Sequence, residues 1–194
     1  MKKNITITGT TRGLGKALAQ KLSVDNNVRS LNRPDFDLEK SQTLANIDFS
    51  FTDILILNAG HQQGGKGFFQ DHAYSEWQSI IDCNITGNLF LVQKYLQQNN
   101  SGTIVLITSA VVNKPVDDCL IYTATRHALH GAIYNLRFEL TKQNKKIRLL
   151  EIVPSSMREN VESQDSSKKV SSYAQVSDAI LFAIDNSAID CVTF

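Results

Sequence analysis

Three polar residues in the second half of the chain have the types and spacing for proton transfer. Ser109 ends an apolar, strand-like run, Tyr122 opens a segment of helical period, and Arg126 follows one helical turn later. Residues i and i+4 share a helix face, and a cation beside a phenol favours its phenolate form. Such a phenol can pass a proton to a carbonyl oxygen while the serine hydroxyl hydrogen-bonds the same oxygen. The alternative is structural: a helix start with an amphipathic tyrosine and a surface arginine.

A second candidate site is the glycine-containing stretch 8–15 near the start of the chain. Gly9, Gly13 and Gly15 follow the apolar run 4–8 and precede a segment with leucine and alanine at helical spacing. Glycine lets the backbone turn sharply and approach a ligand closely. The first turn of the following helix then offers free N–H groups to an anion. The order strand, glycine turn, helix predicts a phosphate-binding site, although the same glycine spacing also occurs in plain loops.

Two amide-containing motifs lie between these sites. Asn58-Ala59-Gly60 follows an apolar run, and it is either a strand-terminating turn or a flat surface for a planar ring or a ribose. Asn84 lies inside a long helical pattern, on its apolar side. Asparagine is unfavourable inside a helix, so an inward amide needs partners. Asn84 is therefore either a satisfied core amide or a group that holds a water or a backbone atom near the site.

The histidines offer little for metal binding. His127 and His130 are three residues apart on a predicted helix, a spacing at which two imidazoles can share a metal. No cysteine or carboxylate is spaced to complete such a site, so we predict no metal. His61, directly after the N-A-G turn, is expected to face the substrate.

Alternating strand-like and helical segments must position these residues. The strand-like runs are Ile5–Thr8, Val28–Asn32, Asp53–Asn58, Thr103–Ser109, Ile147–Val153 and Ile189–Phe194. Helical patterns run from the glycine turn to Leu22 and over Lys40–Ile47, Ser75–Gln98, Tyr122–Gln143 and Ser172–Asn186. This alternation predicts an α/β fold, doubly wound and mostly parallel, with helices on both faces. Ligands bind such sheets beyond the carboxyl ends of the strands, where the strand order reverses.

Two segments depart from this alternation. Only Arg33–Asp35 separates the second strand-like run from Phe36–Leu38, too short a link for a parallel crossover. We therefore expect Phe36–Leu38 to be an extended segment laid against the sheet. Residues 155–171 are rich in serine and lysine, and they predict a short polar loop in the position of a substrate lid.

Length and composition limit the class of protein. A chain of 194 residues predicts a single domain spanning 1–194. The formal net charge is +1, and no basic or acidic block points to nucleic acid or to a membrane surface. Three widely spaced cysteines, at 83, 119 and 191, suit free thiols in a reducing compartment, which predicts a cytoplasmic protein.

With these motifs in order, the chain resembles the short-chain dehydrogenase/reductase family from residue 4 nearly to its end. The resemblance rests on T-G-x-x-x-G-x-G at 8–15, N-A-G at 58–60, Asn84, Ser109, and a Y-x-x-x-K-like pair at Tyr122 and Arg126. It implies a Rossmann-type sheet of six to seven strands and a nicotinamide cofactor. It also implies hydride transfer coupled to proton transfer by the tyrosine, with Asn84, Ser109, Tyr122 and Arg126 as catalytic residues.

The resemblance also implies a cofactor site. In it the glycines line the pyrophosphate and adenosine, N-A-G packs beside the adenosine ribose, and the Asp37-Leu38 pair contacts the adenine. Asn84 holds a proton-relay water. The implied cofactor-binding positions are Gly9, Thr11, Arg12, Gly13, Leu14, Gly15, Asn32, Arg33, Asp37, Leu38, Asn58, Ala59, Gly60, Tyr122, Arg126 and Pro154.

The residues after the second strand favour NADP(H) over NAD(H). Members that prefer NAD place an acidic residue at the end of that strand, to bind both ribose hydroxyls. Here the position reads Asn32-Arg33, and the first carboxylate comes at Asp35. Arg12 and Arg33 supply guanidinium groups, which can bind a 2′-phosphate through a bidentate fork.

The main departure from the family pattern is Arg126, where the family has lysine. Both are cations, but the planar guanidinium is wider than an ammonium group. Pro154-Ser155 also stands where the family usually has Pro-Gly. Two functions stay open: reduction of a small carbonyl compound or oxidation of the alcohol, and NADP(H) binding by a sensor or interaction protein with little or no catalysis. The long helices resemble those that pair subunits in the family, which implies a homodimer or homotetramer.

Overall fold

A parallel six-stranded sheet forms the centre of the protein in the computed structural model, which describes residues 2–62, 69–113, 116, 118–159 and 170–194. The strands are β1 Asn4–Thr8, β2 Asn27–Leu31, β3 Ile54–Leu57, β4 Ser101–Ile107, β5 Lys146–Val153, β6 Ser156–Arg158, β7 Val170–Ser172 and β8 Cys191–Thr193. The central sheet has the order β2-β1-β3-β4-β5-β8, and every pair in it is parallel. The strand order reverses at β1, between β2 and β3, so a crevice is expected there at the carboxyl ends.

Helices connect these strands. They are α1 Gly13–Leu22, α2 Ser41–Ala45, α3 Tyr74–Ile81, α4 Asn88–Gln98, α5 Leu120–Lys142 and α6 Tyr173–Asp185. A π-helical turn, Asp82–Gly87, joins α3 to α4, so the single helix predicted over 75–98 is divided in two. Within the described residues, none of the helices is both long enough and apolar enough to cross a membrane.

The two faces of the sheet carry separate apolar cores. Alternate strand residues point to opposite faces. On one face Ile5, Ile7 and Ile56 pack against α1 and α6. On the other face Leu55 and Leu106 pack against α4 and α5. Burial on both faces explains the nearly continuous apolar runs in the sequence, and the prediction of a doubly wound sheet with helices on both faces is confirmed.

Two predicted boundaries near the candidate site are wrong by two residues. Helix α5 begins at Leu120, so Tyr122 lies within its first turn and does not open it. Strand β4 ends at Ile107, and Ser109 instead caps the 3₁₀ turn Ala110–Val112. Strand propensity alone could not show where the sheet pairing stops.

The two segments that depart from the strand–helix alternation have distinct structures. Phe36 and Leu38 are buried, but neither lies in a strand, in line with the expected extended segment. The predicted lid loop begins and ends in a short parallel pair, β6 with β7. The rest of that predicted loop, residues 160–169, lies outside the described part of the chain.

Candidate active site

The glycine turn leaves the start of α1 without a partner from any side chain. Gly9 and Gly13 have φ values of +72° and +59°, a conformation that favours glycine. Arg12 occupies the N-cap position in an extended conformation and makes no side-chain cap, and the first turn of α1 holds no acidic residue. The N–H groups of this turn and the positive end of the helix dipole can therefore receive an anion.

The glycine turn and the N-A-G turn are locked together. The Asn58 Nδ2 group donates to the carbonyl oxygens of Thr8, at 3.1 Å, and Gly9, at 2.9 Å. A Cβ atom on Gly15 would overlap the Gly9 carbonyl oxygen and Asn58 Nδ2. Gly15 is therefore required for the close approach between α1 and both turns.

Thr8 supports the candidate site and was missed in the sequence analysis. Its fully buried hydroxyl oxygen accepts hydrogen bonds from the backbone N–H groups of Asn58, at 3.1 Å, and Ala59, at 2.9 Å. The hydroxyl thus holds the backbone of N-A-G beside the glycine turn. A polar residue at the last position of a buried strand, facing the ligand edge of the sheet, was the signal available in the sequence.

The end of β2 carries a fixed asparagine and a paired arginine. Asn32 Oδ1 accepts from the Thr10 backbone N–H at 2.7 Å, which ties β2 to the glycine turn. Arg33 Nη2 lies 3.1 Å from Asp37 Oδ1 and 2.5 Å from Glu39 Oε1, while its side chain stays 60% exposed. Burial lowers the pKa of Arg33, but attraction to the two carboxylates outweighs burial and the pKa is raised.

The other positions predicted for the adenosine half have simpler environments. Thr11 and Arg12 are exposed, whereas Leu14 is buried beneath the turn. Leu38 is buried as well, and its carbonyl oxygen lies so close to Gly87 that a Cβ there would overlap it. Asp37 and Leu38 thus lie where α2 and the π turn meet, and their predicted contact with adenine stays a prediction.

Arg126 is buried at the other half of the candidate site. The residue is 6% exposed, and its Nη1 donates to the Ile107 carbonyl oxygen at 3.3 Å. The guanidinium carbon lies 4.9 Å from the centroid of the Tyr122 ring, and Nε has no hydrogen-bond partner within the described structure. A Cβ on Gly60 would lie 2.5 Å from Arg126 Nη2. The missing side chain at Gly60 thus provides room for the wide guanidinium.

Asn84 is a satisfied core amide. Its Oδ1 accepts from the His61 backbone N–H at 3.0 Å, and its Nδ2 donates to the His61 carbonyl oxygen at 3.0 Å and to Thr125 Oγ1 at 3.1 Å. These bonds fix the chain after N-A-G against the π turn and α5. The predicted role of Asn84 in holding a relay water stays a prediction.

One cavity of about 370 Å³ lies between the N-A-G turn and the first turn of α5, at the carboxyl ends of the strands. Its walls include the predicted site residues Asn58, Gly60, Ser109, Tyr122, Arg126 and Pro154, but none of the glycine turn or of the end of β2. A second cavity of about 360 Å³, lined by the apolar Trp77 and Leu120 and by polar residues that include Glu76, shares Tyr122 and Cys119 with the first. The structure therefore places the predicted proton-transfer residues around a space that a small molecule could occupy.

The two histidines on α5 have different partners. His127 Nδ1 lies 2.9 Å from the Thr123 carbonyl oxygen, and His130 Nδ1 lies 2.9 Å from Glu151 Oε1. In the described structure, a separate group with ligand atoms within 4.8 Å of one another is formed by Glu39, His61 and Cys83. Arg33 already pairs with that glutamate, and burial raises the pKa of the Cys83 thiol to about 11, which disfavours the thiolate that a metal needs.

Several known proteins resemble this chain in sequence. The model of the short chain dehydrogenase family matches residues 36–170. An uncharacterised oxidoreductase of Staphylococcus epidermidis is 26% identical over 213 aligned positions, which cover 94% of this chain and 91% of that protein. The uncharacterised oxidoreductase YohF of Escherichia coli is 30% identical over 119 positions, covering 59% of this chain and 46% of YohF.

Solved structures share the fold at lower identity. ElxO with NADP bound has a TM-score of 0.83 at 21% identity, covering all of this chain and 95% of ElxO. A small-chain dehydrogenase in complex with NADPH has a TM-score of 0.83 at 22% identity, covering all of this chain and 96% of that one. The Rossmann-type fold is thus confirmed, and because the family model matches well over half of the sequence, the chain belongs to the short-chain dehydrogenase family.

Proposed function

We propose that this protein is an NADP(H)-dependent oxidoreductase that reduces a small carbonyl compound or oxidises the corresponding alcohol. The observation that carries the proposal is the cavity of about 370 Å³, whose walls include Ser109, Tyr122 and Arg126 beside the N-A-G turn. Its relatives in Staphylococcus epidermidis and Escherichia coli are named oxidoreductases, and two structural neighbours are described with NADP or NADPH bound.

The residues present fit a dinucleotide. The first turn of α1 has no side-chain cap and no acidic residue, so its N–H groups suit the pyrophosphate. Gly9 and Gly15 keep the backbone free of side chains at that turn. Arg33 is more than half exposed at the end of β2, where a cation suits the 2′-phosphate of NADP(H).

The chain's own residues supply the proton. When bound, the nicotinamide cofactor supplies a hydride to the carbonyl carbon. The Tyr122 hydroxyl donates its proton to the carbonyl oxygen, and Ser109 Oγ donates a hydrogen bond to the same oxygen. Arg126, stacked on the Tyr122 ring, offsets the charge of the phenolate that remains, which regains a proton from solvent. Alcohol oxidation runs through the same groups in reverse.

The test is NADPH oxidation against a panel of small aldehydes and ketones, with NADPH binding measured separately by calorimetry. We expect binding and the consumption of at least one carbonyl compound. Binding without turnover of any aldehyde, ketone or alcohol would support the alternative, an NADP(H) sensor or interaction protein. Absence of NADPH binding would contradict both functions.

We further propose a cytoplasmic homodimer or homotetramer that pairs through exposed aromatic residues of its long helices. Tyr134 is 78% exposed on α5, and Phe138, one turn later, is also exposed. Light scattering after size exclusion should give two or four chain masses, and a monomer at all concentrations would contradict this.

A further inference from the structure

Glu39 connects three elements of the adenosine half of the candidate site. Its Oε1 lies 2.5 Å from Arg33 Nη2, after β2, and 3.4 Å from His61 Nε2, after β3. Its Oε2 accepts a hydrogen bond from Ser79 Oγ on α3 at 2.8 Å. These contacts hold the carboxylate in place beside the guanidinium.

Both carboxylates near Arg33 meet the same guanidinium nitrogen. Asp37 Oδ1 and Glu39 Oε1 each lie within ion-pair distance of Nη2, whereas Lys40 Nζ, 3.6 Å from Asp37 Oδ2, balances only part of the acidic charge. The Arg33 side chain is 60% exposed, so its guanidinium can still receive another anion. That anion meets the two carboxylates as well.

We propose that Glu39 is a specificity-determining residue that weakens the binding of NADP(H) relative to NAD(H). This inference rests on the proposed function, because it requires the 2′-phosphate to approach Arg33. The phosphate is repelled by the Glu39 carboxylate, and part of the charge of Arg33 is already offset by that carboxylate. NAD(H) carries a hydroxyl in place of the phosphate, and a carboxylate at position 39 does not repel that hydroxyl.

Glu39 is a better candidate for this role than Asp37. The Asp37 backbone carbonyl accepts from Thr43 Oγ1 at 2.8 Å, and its carboxylate accepts from the Glu39 backbone N–H at 3.2 Å, so the residue also shapes the chain before α2. A substitution at Glu39 changes side-chain contacts only, because the Glu39 backbone N–H still donates to Asp37. The substitution Glu39→Gln removes the charge and keeps an amide oxygen that can accept from Arg33 or Ser79, so it separates charge from positioning.

The test measures dissociation constants for NADPH and NADH by calorimetry on the intact protein and three variants. For Glu39→Gln we expect about fivefold tighter NADPH binding, the effect of one partly exposed charge pair, with no such gain for NADH. Arg33→Ala should weaken NADPH and leave NADH alone. Glu139→Gln, an exposed loss of the same charge on α5, should change neither. The gain in NADPH affinity of Glu39→Gln should be smaller in 0.5 M salt, because salt screens exposed charges.

Each other outcome separates this inference from the proposed function. NADPH binding that is unchanged or weaker in Glu39→Gln would overturn the inference, as would equal gains for both dinucleotides or an Arg33→Ala variant that binds NADPH normally. The proposed function would survive all four results, because NADPH would still bind. Failure of the unmodified protein to bind either dinucleotide would overturn both. Thermal unfolding of each variant checks that the fold is retained.

Discussion

The two halves of the candidate site are built in different ways. The half proposed to bind the pyrophosphate consists of backbone, glycines and short polar side chains, with Asn58 and Thr8 fixing the two turns to each other. The half proposed to transfer the proton depends on one long buried cation, Arg126, which lies over Tyr122 and against Gly60. In the first half, an added side-chain atom disturbs the hydrogen-bonded turns directly. In the second half, what matters is the charge and the position of the long Arg126 side chain. Cofactor binding and turnover should therefore respond to different substitutions.

The largest separation between the halves is expected from Arg126→Met, which removes the charge and keeps much of the side-chain length. Without the cation over the Tyr122 ring, the charge left on the ring when its proton is transferred is no longer offset, and we expect kcat to fall about 100-fold. The dissociation constant of NADPH should change much less. Steady-state kinetics and calorimetry measure the two quantities, and Arg126→Lys is the conservative control, expected to retain most of the rate. Equally large losses in kcat and in NADPH affinity would show that the two halves do not act separately.

Gly15→Ala should affect the half proposed to bind the pyrophosphate. The added methyl group overlaps the Gly9 carbonyl oxygen and Asn58 Nδ2, and such overpacking costs about 2 kcal/mol, or about 30-fold in an equilibrium constant. We expect this loss in NADPH affinity or in the free energy of unfolding. Gly131→Ala is the matched control, because a Cβ there meets no atom within 4 Å. Similar losses of affinity or stability in both variants would show that the overlap with Gly9 and Asn58 is not the cause.

Gly60→Ala should affect turnover more than binding. The new methyl group would lie 2.5 Å from Arg126 Nη2 and 2.9 Å from Asn84 Oδ1, so the guanidinium over the Tyr122 ring and the amide must both shift. Because small misplacements of catalytic groups reduce rates strongly, we expect kcat to fall about tenfold. In the double variant with Arg126→Met, the further loss from the alanine should be smaller than in the unmodified protein, because only the contact with Asn84 remains. Fully additive losses would mean that the alanine does not act through Arg126.

The smallest effect appears only in alkaline solution and concerns the stability of the core on which both halves rest. Burial raises the pKa of Cys83 from 9.0 to about 11 and that of Tyr95 from 10.0 to about 12. Above pH 9 the unfolded chain loses these protons before the folded protein does, so the free energy of unfolding should fall as the pH rises from 9 to 12. Urea unfolding at pH 7, 9 and 10.5 measures the fall. Tyr95→Phe and Cys83→Ala should each reduce it, and an unchanged slope would contradict the assigned cause.

Much of the fold followed from the sequence because its signals are local. Apolar runs such as Ile54–Leu57 and the apolar stripe of α5 directly predict which residues are buried. Because several motifs follow strand-like runs, the sequence also predicts that they lie at the carboxyl edge of the sheet. The π turn around Asn84 was missed, because one inserted residue per turn scarcely changes an apolar pattern.

The parts of the site that escaped the sequence analysis depend on contacts between elements. Glu39 meets Arg33, His61 and Ser79 only after α2 and α3 have packed beside the sheet. The room for Arg126 likewise comes from Gly60, which is distant in sequence. Periodicity and motif spacing contain no information on such pairings, whereas the individual motif residues can be recognised one by one.

Tyr122→Phe tests the central claim most directly, because it removes only the phenolic proton. With a carbonyl compound that the unmodified protein reduces, we predict a loss of at least about 100-fold in kcat for NADPH oxidation. The dissociation constant of NADPH, measured on the same preparation, should stay within about twofold, since the hydroxyl is the only group removed. Turnover by Tyr122→Phe at the rate of the unmodified protein would contradict the assignment of Tyr122 as the proton donor.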